Sequence, residues 1–395
     1  MAFRYLTSGE SHGKCLNLII DGFPSGVLIN EEKINNDLKR RQSGYGRGGR
    51  MKIETDKIKF NSGIRHSYSI GSPICAEITN KDWENWSVVM SSESVDTSNP
   101  EIRKLLDDKT ISKVRPGHAD FAGALKYNQK DIRNILERSS ARETTTRVAA
   151  GAICKCLLEE FDIDIFSHVL AIGNAKVKET LSDYDEIKSK AELSEVRCAD
   201  EQTSKEMIQQ IDNAQREGVT LGGYIEVVIR NLPIGLGSHI QWDKRLDGIL
   251  AQAIMSIPAV KSVEIGAGVQ SAYLKGSDMH DEIFSENGKV IRKTNNAGGL
   301  EGGMTNGEPL IIRAAMKAIP TMRTPLNSIN LYTKENTQAH FERSDTCAVP
   351  ACAVVAEAMA AIALTGVFLE KFSSDNLEDI KQNYKNYQKR IRGEL

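Results

Sequence analysis

The sequence carries no excess of one charge at the level of the whole chain. Among its 395 residues, 51 Lys and Arg nearly balance 53 Asp and Glu, which leaves a formal net charge of −2. This balance excludes a histone-like or otherwise uniformly basic nucleic-acid-binding protein, so we expect no nucleic-acid partner. With 40% hydrophobic and 26% charged residues, the composition is that of a folded globular protein rather than a disordered chain.

The sequence also has no uninterrupted apolar run of membrane-spanning length. Its most apolar stretch, residues 348–369, is interrupted by Glu357, whereas a spanning helix needs about 20 apolar residues. We therefore expect an alanine-rich core helix here and no membrane partner. The first residues lack the apolar stretch of a secretory signal, which predicts a cytoplasmic protein.

Disulfide and metal-binding patterns are missing as well. The seven cysteines are odd in number, no Cys-x-x-Cys pair occurs, and none is spaced with histidine as a zinc ligand would be. Scattered thiols are typical of the reducing cytosol. Because neither a His-Glu-x-x-His motif nor a P-loop is present, we expect no metal site.

The hydrophobic pattern predicts mixed helices and strands in one domain spanning residues 1–395. Short βαβ units are not evident, so an α+β fold is favoured over a doubly wound sheet. Alternating or β-branched runs predict strands at 16–21, 72–79, 163–172, 224–230, 263–269 and 309–315. Helices are predicted at 31–41, 101–109, 119–127, 141–160, 205–217, 243–255 and 349–372, with a charged surface helix within 376–395.

Capping residues and glycines refine this prediction at three places. Asn30 and Asn99 are expected to cap the first two helices. The glycine-rich segment 268–304 is weakly periodic and predicts a long loop. That loop either approaches a ligand closely or is a mobile surface loop.

One segment does concentrate positive charge. Between Asp37 and Glu54 the chain has six basic residues, four glycines and no acid. Arginine forks bind carboxylate and phosphate, and glycines let backbone N–H groups turn towards an anion. The segment contains Gly-x-Gly-x-x-Gly, but it follows a predicted helix, so a dinucleotide-binding fold is weakly supported. The alternatives to an anion-binding segment are a solvated charged loop and an arm that binds nucleic acid.

Two histidines lie in turns where their rings can reach a site. His12 stands in Gly9-Glu10-Ser11-His12-Gly13, just before a predicted strand, and imidazole is suited to donate a proton near neutral pH. The same residues match the Gly-x-Ser-x-Gly motif of serine hydrolases, but that motif requires a preceding strand and a following helix. His118 follows Arg115-Pro116-Gly117 at the start of a predicted helix. Either histidine could instead be an incidental turn residue.

Three further segments combine arginine, serine and lysine. Residues 138–142 place Ser139 and Ser140 at a predicted helix start between two arginines, a pattern suited to phosphate. Residues 317–321 follow a predicted strand, and residues 343–345 precede the alanine-rich helix. Asp345 is either a salt-bridge partner of Arg343 or a positioned base. Together these segments predict a polyanion site with two histidines and one aspartate available for proton transfer.

Taken in order, these segments resemble the chorismate synthase family. The matching segments are 9–13, 40–51, 115–120, 138–144, 295–303, 317–321, 343–345 and 348–351. The resemblance implies a β-α-β sandwich of antiparallel sheets and helices, assembled as a homotetramer. It also implies a lyase that removes phosphate and the C6 hydrogen from 5-enolpyruvylshikimate 3-phosphate, in the last common step of aromatic amino acid biosynthesis. Reduced FMN is the implied cofactor and NADPH a candidate reductant. The alternative is another flavin-dependent enzyme acting on a small phosphorylated carboxylate.

The resemblance further implies roles for individual residues. We expect His12 to protonate the departing phosphate, His118 to face the reduced flavin, and Asp345 to assist proton removal from C6 through flavin N5. Substrate contacts are expected from Ser11, Arg41, Arg47, Arg115, Ala141 and Arg142. Arg41 and Arg47 also match NADP-binding positions. FMN contacts are expected from Arg138, Ser139, Ser140, Gln252, Ala253, Gly302, Lys317, Ala318, Ile319, Pro320, Thr321 and Arg343.

Overall fold

Two antiparallel sheets enclose a layer of helices. The computed structural model describes residues 3–48, 55–178, 181–342 and 344–393. The strands are β1 (Arg4–Ser8), β2 (Cys15–Asp21), β3 (Lys59–Ser62), β4 (Ile64–Arg65), β5 (Tyr68–Ser69), β6 (Ile74–Thr79), β7 (Asp164–Ile172), β8 (Ala175–Lys176), β9 (Gly223–Arg230), β10 (Val260–Ile265), β11 (Ile283–Glu286), β12 (Lys289–Arg292), β13 (Leu300–Glu301), β14 (Met304–Thr305), β15 (Leu310–Met316), β16 (Asn327–Ile329) and β17 (Asn336–Gln338). The helices are α1 (Glu31–Gln42), α2 (Trp83–Trp86), α3 (Pro100–Lys109), α4 (Asp120–Lys126), α5 (Arg133–Ser139), α6 (Thr144–Glu159), α7 (Tyr184–Leu193), α8 (Glu201–Glu217), α9 (Leu246–Met255), α10 (Gly276–Met279), α11 (Val349–Lys371) and α12 (Leu377–Ile391).

The first sheet has the strand order β1-β2-β6-β3 and one apolar face. In β2, Leu16, Leu18 and Ile20 are buried while the residues between them are more exposed, because successive side chains point to opposite faces. Their partners on β6 are Ile78, Ala76 and Ile74, all fully buried. This apolar face packs against α6.

The second sheet has the order β10-β15-β9-β7-β8, and its neighbouring strands are all antiparallel. The central residues of β9 are buried without alternation, which indicates that both faces of this sheet are covered. Helix α11 packs on one face, and α1 and α6 pack against α11. The resulting order of sheet, helices and sheet confirms the expected α+β sandwich.

Helix α11 forms the centre of the core. It is long and apolar enough to pass a length test for a membrane span, but 89% of its most apolar window is buried inside the protein. The predicted core helix is therefore confirmed. Helices α6 and α11 cross closely at Gly151, where an added Cβ would lie 2.4 Å from Cα of Ala358.

Replacing Gly151 with Ala is expected to lower the free energy of unfolding by about 1–3 kcal/mol, since backbone at the helix crossing must move. Gly248 in α9 is the matched control, because a Cβ there meets no atom within 4 Å. Gly248→Ala should be neutral or stabilising by up to about 1 kcal/mol. Denaturant unfolding measures both variants, and wild-type stability of Gly151→Ala would contradict the close crossing.

Most predicted elements lie within a few residues of the observed ones. The predicted caps are confirmed, since the side chains of Asn30 and Asn99 accept hydrogen bonds from the backbone N–H groups of Lys33 and Glu101. The C-terminal helix is confirmed as α12. The predicted strand 263–269 was wrong at its end: β10 stops at Ile265, and Gly268–Tyr273 forms a 3-10 helix.

The glycine-rich segment 268–304 is not one long loop. It contains that 3-10 helix, α10 and the β11–β12 hairpin. Its glycines allow backbone segments to approach one another: a Cβ on Gly298 would lie 2.3 Å from Gly266, and one on Gly299 would lie 2.7 Å from the carbonyl oxygen of Pro309. Close packing of backbone therefore accounts for these two glycines.

Candidate active site

A cavity of about 620 Å³ brings together most of the segments singled out in the sequence. It is lined by residues from the His12 turn, the end of α1, the turn before α4, the end of α5 with the turn that follows it, the segment after β15 and the start of α11. Six arginines and one lysine contribute to its wall, against four carboxylates. This excess of cations suits ligands with several negative charges. The arginines are Arg41, Arg47, Arg115, Arg138, Arg142 and Arg147.

Arg41 and Arg142 share the buried carboxylate of Asp56. Nη1 of Arg142 lies 2.5 Å from Oδ1 of Asp56, and Nη1 of Arg41 lies 3.4 Å from Oδ2. Arg41 also donates to Oγ1 of Thr144 and to the carbonyl oxygen of Ala141, both at 3.0 Å. Burial and the neighbouring arginine charges lower the pKa of Arg41 to about 10, although Asp56 opposes this effect. Arg41 therefore stays protonated at neutral pH, and the pair retains net positive charge.

Arg115 and His118 are held by one buried carboxylate, Asp120. Arg115 donates to both carboxylate oxygens of Asp120, at 2.7 and 2.9 Å, and to Oγ1 of Thr321 at 3.1 Å. Nδ1 of His118 lies 2.5 Å from Oδ1 of Asp120. Burial raises the pKa of Asp120, but hydrogen bonds from His118 and Arg115 outweigh this and hold it well below its ordinary value. Asp120 is therefore an ionised acceptor that fixes both side chains at the cavity.

Asp345 lies just before α11 and forms an ion pair with Arg47. Oδ2 of Asp345 lies 3.0 Å from Nη1 of Arg47, and Oδ1 accepts the backbone N–H of Gly48 at 2.6 Å. The sequence predicted either a salt bridge between Asp345 and Arg343 or a role for Asp345 as a base. Arg343 lies outside the described residues. The carboxylate of Asp345 is thus both ion-paired and part of the cavity wall.

His12 reaches the cavity from the turn between β1 and β2. Its Nδ1 lies 2.9 and 3.0 Å from the two carboxylate oxygens of Glu137. The neighbouring Ser11 is buried, and its backbone N–H donates to the carbonyl oxygen of Glu137 at 3.0 Å. Helix α5, which carries Glu137, therefore fixes the position of the His12 turn.

Polar groups suited to a phosphate lie at the turn from α5 to α6. The predicted helix start is confirmed for Ser140, which accepts the N–H of Arg142 and caps the 3-10 turn Ala141–Glu143 that leads into α6, but it was wrong for Ser139, which ends α5. Arg138 donates to the carbonyl oxygens of Thr7 and Gly9, which ties the end of β1 to this turn. Arg138, Ser139 and Ser140 all line the cavity.

Lys317 approaches the cavity from the segment after β15. Its Nζ donates to the carbonyl oxygen of Gly117 at 2.8 Å, and burial together with the charge of Lys261 lowers its pKa. Ile319, Pro320 and Thr321 also line the cavity, whereas Ala318 does not.

One part of the wall is apolar. It consists of four side chains from the start of α11, together with residues that follow α9. Such a surface can cover a flat aromatic ring, while the cations nearby bind attached anions. Those at the start of α11 are Ala348, which immediately precedes the helix, and Ala351, Cys352 and Val355 within it; the others are Ile257, Pro258 and Ala259.

Some residues expected at the site lie elsewhere in this chain. Gln252 and Ala253 lie on α9, and Gly302 follows β13; none of these three is among the residues that line the cavity. Their assignment to FMN stays a prediction. Arg50 and Lys52 of the basic segment lie outside the described residues.

Arg40 does not take the anion-binding role suggested by its place in the basic segment. Its guanidinium turns away from the cavity and binds the fully buried carboxylate of Glu357 at 2.8 and 2.9 Å, as well as Asp37 and Glu192. It lines a second cavity of about 1000 Å³ beside α1 and β7, which has no histidine among the described residues that line it. Only part of the basic segment therefore serves the first cavity.

Sequence reasoning missed several residues that build the site. Asp56 follows the basic segment with no local pattern that marks it as a buried partner. Glu137 stands four residues after Arg133 in α5, a spacing that normally indicates an exposed ion pair. Arg147 was missed because it lies within α6, where it pairs with Glu143.

Comparison with known proteins finds relatives that match nearly the whole chain. A family model for chorismate synthase matches residues 3–369. A chorismate synthase from Brevibacillus brevis is 51% identical over 385 residues, covering 97% of this chain and 98% of that protein. One from Sulfurihydrogenibium sp. is 53% identical over 395 residues, covering 98% of this chain and 99% of that protein. A crystal structure of chorismate synthase matches with a TM-score of 0.79 at 40% identity, covering 100% of this chain and 99% of that chain. The chain therefore belongs to the chorismate synthase family, lyases that form chorismate in the shikimate pathway of aromatic amino acid biosynthesis.

Proposed function

We propose that this chain converts 5-enolpyruvylshikimate 3-phosphate to chorismate by 1,4-elimination of phosphate and the C6 hydrogen, with reduced FMN bound in the same cavity. The observation that carries this proposal is the convergence of six arginines, two histidines and Asp345 on one cavity. The substrate has two carboxylates and a phosphate, so its charges match this wall. The alternative, another flavin-dependent enzyme on a small phosphorylated carboxylate, is not favoured because relatives named chorismate synthase match nearly the whole chain.

The cavity has the two kinds of surface that FMN requires. The apolar wall at the start of α11 suits the ring, and Arg138, Ser139, Ser140 and Lys317 suit the phosphate. When bound, reduced FMN supplies an electron-rich ring that stabilises an electron-poor transition state.

The protein itself binds, orients and moves protons. Arg41, Arg47, Arg115 and Arg142 hold the substrate carboxylates and phosphate, and by fixing its orientation they lower the entropic cost of reaction. His12 donates a proton from Nε2 to the departing phosphate. Asp345 takes up the proton that leaves C6, and His118 sets the protonation of the cofactor beside it.

Anaerobic incubation with the substrate tests this function. With photochemically reduced FMN, we expect chorismate and inorganic phosphate in equal amounts. With oxidised FMN or no flavin, we expect neither product. Equal phosphate release under all three conditions would overturn the cofactor requirement, and absence of chorismate with reduced FMN would overturn the proposed reaction.

We also propose that Arg41 and Arg47 bind NADPH when this chain reduces its own flavin. NADPH and oxidised FMN as the sole reductant system should then support turnover without dithionite or light. No turnover under those conditions, with normal turnover on photoreduced FMN, would limit the chain to externally reduced flavin.

A cytoplasmic homotetramer is the assembly we propose. Large apolar side chains that a single chain leaves exposed support further association: Ile240 is 81% exposed, and Trp242 and Tyr273 are each 79% exposed. Light scattering should give four times the chain mass of 43.6 kDa. A monomer at micromolar concentration would contradict this.

Replacing Arg47 with Ala is expected to weaken substrate binding. The change removes one cation and leaves Asp345, its 3.0 Å partner, to repel the anionic substrate. A charge-assisted hydrogen bond contributes about 1.5–3 kcal/mol, so the dissociation constant should rise roughly 10- to 150-fold. Calorimetric titration measures this, with Arg216→Ala on the exposed side of α8 as the control. Equal affinities would remove Arg47 from the binding wall.

A further inference from the structure

Two contacts of the His12 ring and one of its backbone fix its position. Its Nδ1 contacts both oxygens of Glu137, and its own backbone N–H donates to Oε2 of the same carboxylate at 2.8 Å. Its ring stacks on Trp86, with ring centroids 4.0 Å apart and planes inclined by 25°. Among the described residues, no hydrogen bond reaches Nε2. The ring therefore has one fixed nitrogen and one nitrogen free to meet a ligand in the cavity.

Glu137 is itself fixed and ionised. Its side chain is only 1% exposed, and Nη1 of Arg133 donates to its Oε1 at 3.0 Å. Arg133 is anchored in turn, because its Nε donates to the carbonyl oxygen of Lys109 at 2.7 Å. Burial raises the pKa of Glu137, but the hydrogen bond from His12 and the charge of Arg133 outweigh this and lower it. A carboxylate this constrained can set the orientation of the ring it holds.

We propose that Glu137 is a positioning residue for the reaction, which keeps the proton of His12 on Nδ1, directs Nε2 into the cavity and stabilises the protonated ring. This inference rests on the proposed role of His12 as the acid. In that step the Nε2–H bond breaks and the proton moves to a phosphate oxygen. The ring becomes neutral, keeps Nδ1–H on Glu137, and regains its Nε2 proton from solvent before the next turnover. The carboxylate–imidazole pair is known to orient a ring in this way in other enzymes.

The charges around His12 make the electrostatic effect of Glu137 the dominant one. Glu137 is in direct contact. Lys109 and Arg133 lie 4.5 and 4.9 Å from the centroid of the Trp86 ring on which His12 stacks, and Arg133 also shares Oε1 of Glu137 with His12. Glu342 lies 3.7 Å from Arg133 and pairs with that guanidinium. Removal of the Glu137 charge would therefore leave the protonated ring near two cations.

Glu137→Gln tests the proposal, because glutamine keeps the shape and can still accept from Nδ1 but has no charge. With reduced FMN, we expect kcat to fall roughly 10- to 100-fold with little change in KM. We also expect the alkaline limb of the pH profile of kcat/KM to move to lower pH, because the uncharged glutamine no longer stabilises the protonated ring. Glu137→Asp keeps the charge, so its alkaline limb should stay in place and its kcat should be intermediate.

Glu226→Gln is the matched control. Glu226 is a buried carboxylate that also joins a histidine to an arginine, at 2.8 Å from Nε2 of His168 and 2.7 Å from Nε of Arg313, but it lies in the second sheet. If the effect were only a loss of stability, it should appear in both Glu137→Gln and Glu226→Gln. The shift of the alkaline limb should appear only in Glu137→Gln.

Three results separate failure of this inference from failure of the proposed function. If wild-type protein makes chorismate and His12→Ala lowers kcat strongly, while Glu137→Gln keeps the wild-type kcat and pH profile, the positioning role is overturned alone. If Glu137→Gln does not fold, a Glu137→Asp variant with a shifted limb overturns it as well. If the wild type makes no chorismate with reduced FMN, the proposed function itself falls.

Discussion

Replacing His12 with Ala is expected to lower kcat roughly 10²- to 10⁴-fold, the usual contribution of a positioned general acid. The phosphate must then leave without a proton, although the arginines that bind the substrate remain. KM should therefore change little, which separates loss of proton transfer from loss of binding. Steady-state rates of chorismate formation under anaerobic conditions with reduced FMN measure both constants.

The control for this variant is His280→Ala. His280 is exposed and lies outside the residues that line the cavity, so its loss should leave kcat and KM unchanged. A His12→Ala variant with wild-type kcat and a raised KM would remove the acid role. It would leave His12 as a binding residue only.

The largest effect on stability is expected at Glu357. Its side chain has no exposure and contacts Arg40, Lys155 and Arg197, with Oγ of Ser167 donating at 2.6 Å. Glu357→Gln leaves one buried cation, Arg197, and two partly buried ones, Arg40 and Lys155, without their shared carboxylate. Removing one partner of a buried ion pair costs about 3–5 kcal/mol, and denaturant unfolding should show a loss of that size.

An exposed ion pair provides the comparison. Glu159 lies 2.6 Å from Lys33, but both side chains are largely solvent-accessible. Glu159→Gln should therefore change the free energy of unfolding by no more than about 1 kcal/mol. Equal losses for Glu159→Gln and Glu357→Gln would show that the buried cluster does not stabilise the fold.

The contribution of Glu357 should depend on pH. Burial raises its pKa, but the charges of Arg40 and Lys155 outweigh this and hold it well below its ordinary value. The stability it supplies is therefore fully present above the unfolded pKa of about 4.3 and is lost as pH falls through the lower folded value. The difference between wild type and Glu357→Gln should shrink as pH falls below about 4. A constant difference across that range would contradict the ionised state of Glu357.

Helices and strands could be predicted from the sequence where they depend on residues close together in the chain. Alternation in β2 and the cap at Asn30 depend on neighbours in sequence, and both agree with the structure. The order of the short segments was specific enough to indicate the family, and most of these segments contribute residues to one cavity. These signals do not require knowledge of distant contacts.

Side-chain pairs between residues far apart in the sequence could not be predicted. Arg40 and Arg41 are adjacent and chemically alike, yet one binds Glu357, 317 residues later, and the other lines the cavity. The helix period turns consecutive residues by about 100°, so the two guanidiniums face different neighbours. Asp56 and Glu137 likewise acquire their roles from the arginine or histidine that folding places beside them.

The structure of this protein bound to 5-enolpyruvylshikimate 3-phosphate and FMN tests the account most directly. We predict both ligands in the 620 Å³ cavity, with the substrate phosphate within hydrogen-bond distance of Nε2 of His12. We also predict substrate carboxylates paired with at least two of Arg41, Arg47, Arg115 and Arg142. Substrate bound in the second cavity, beside Lys33 and Lys155, or a phosphate remote from His12, would contradict the account.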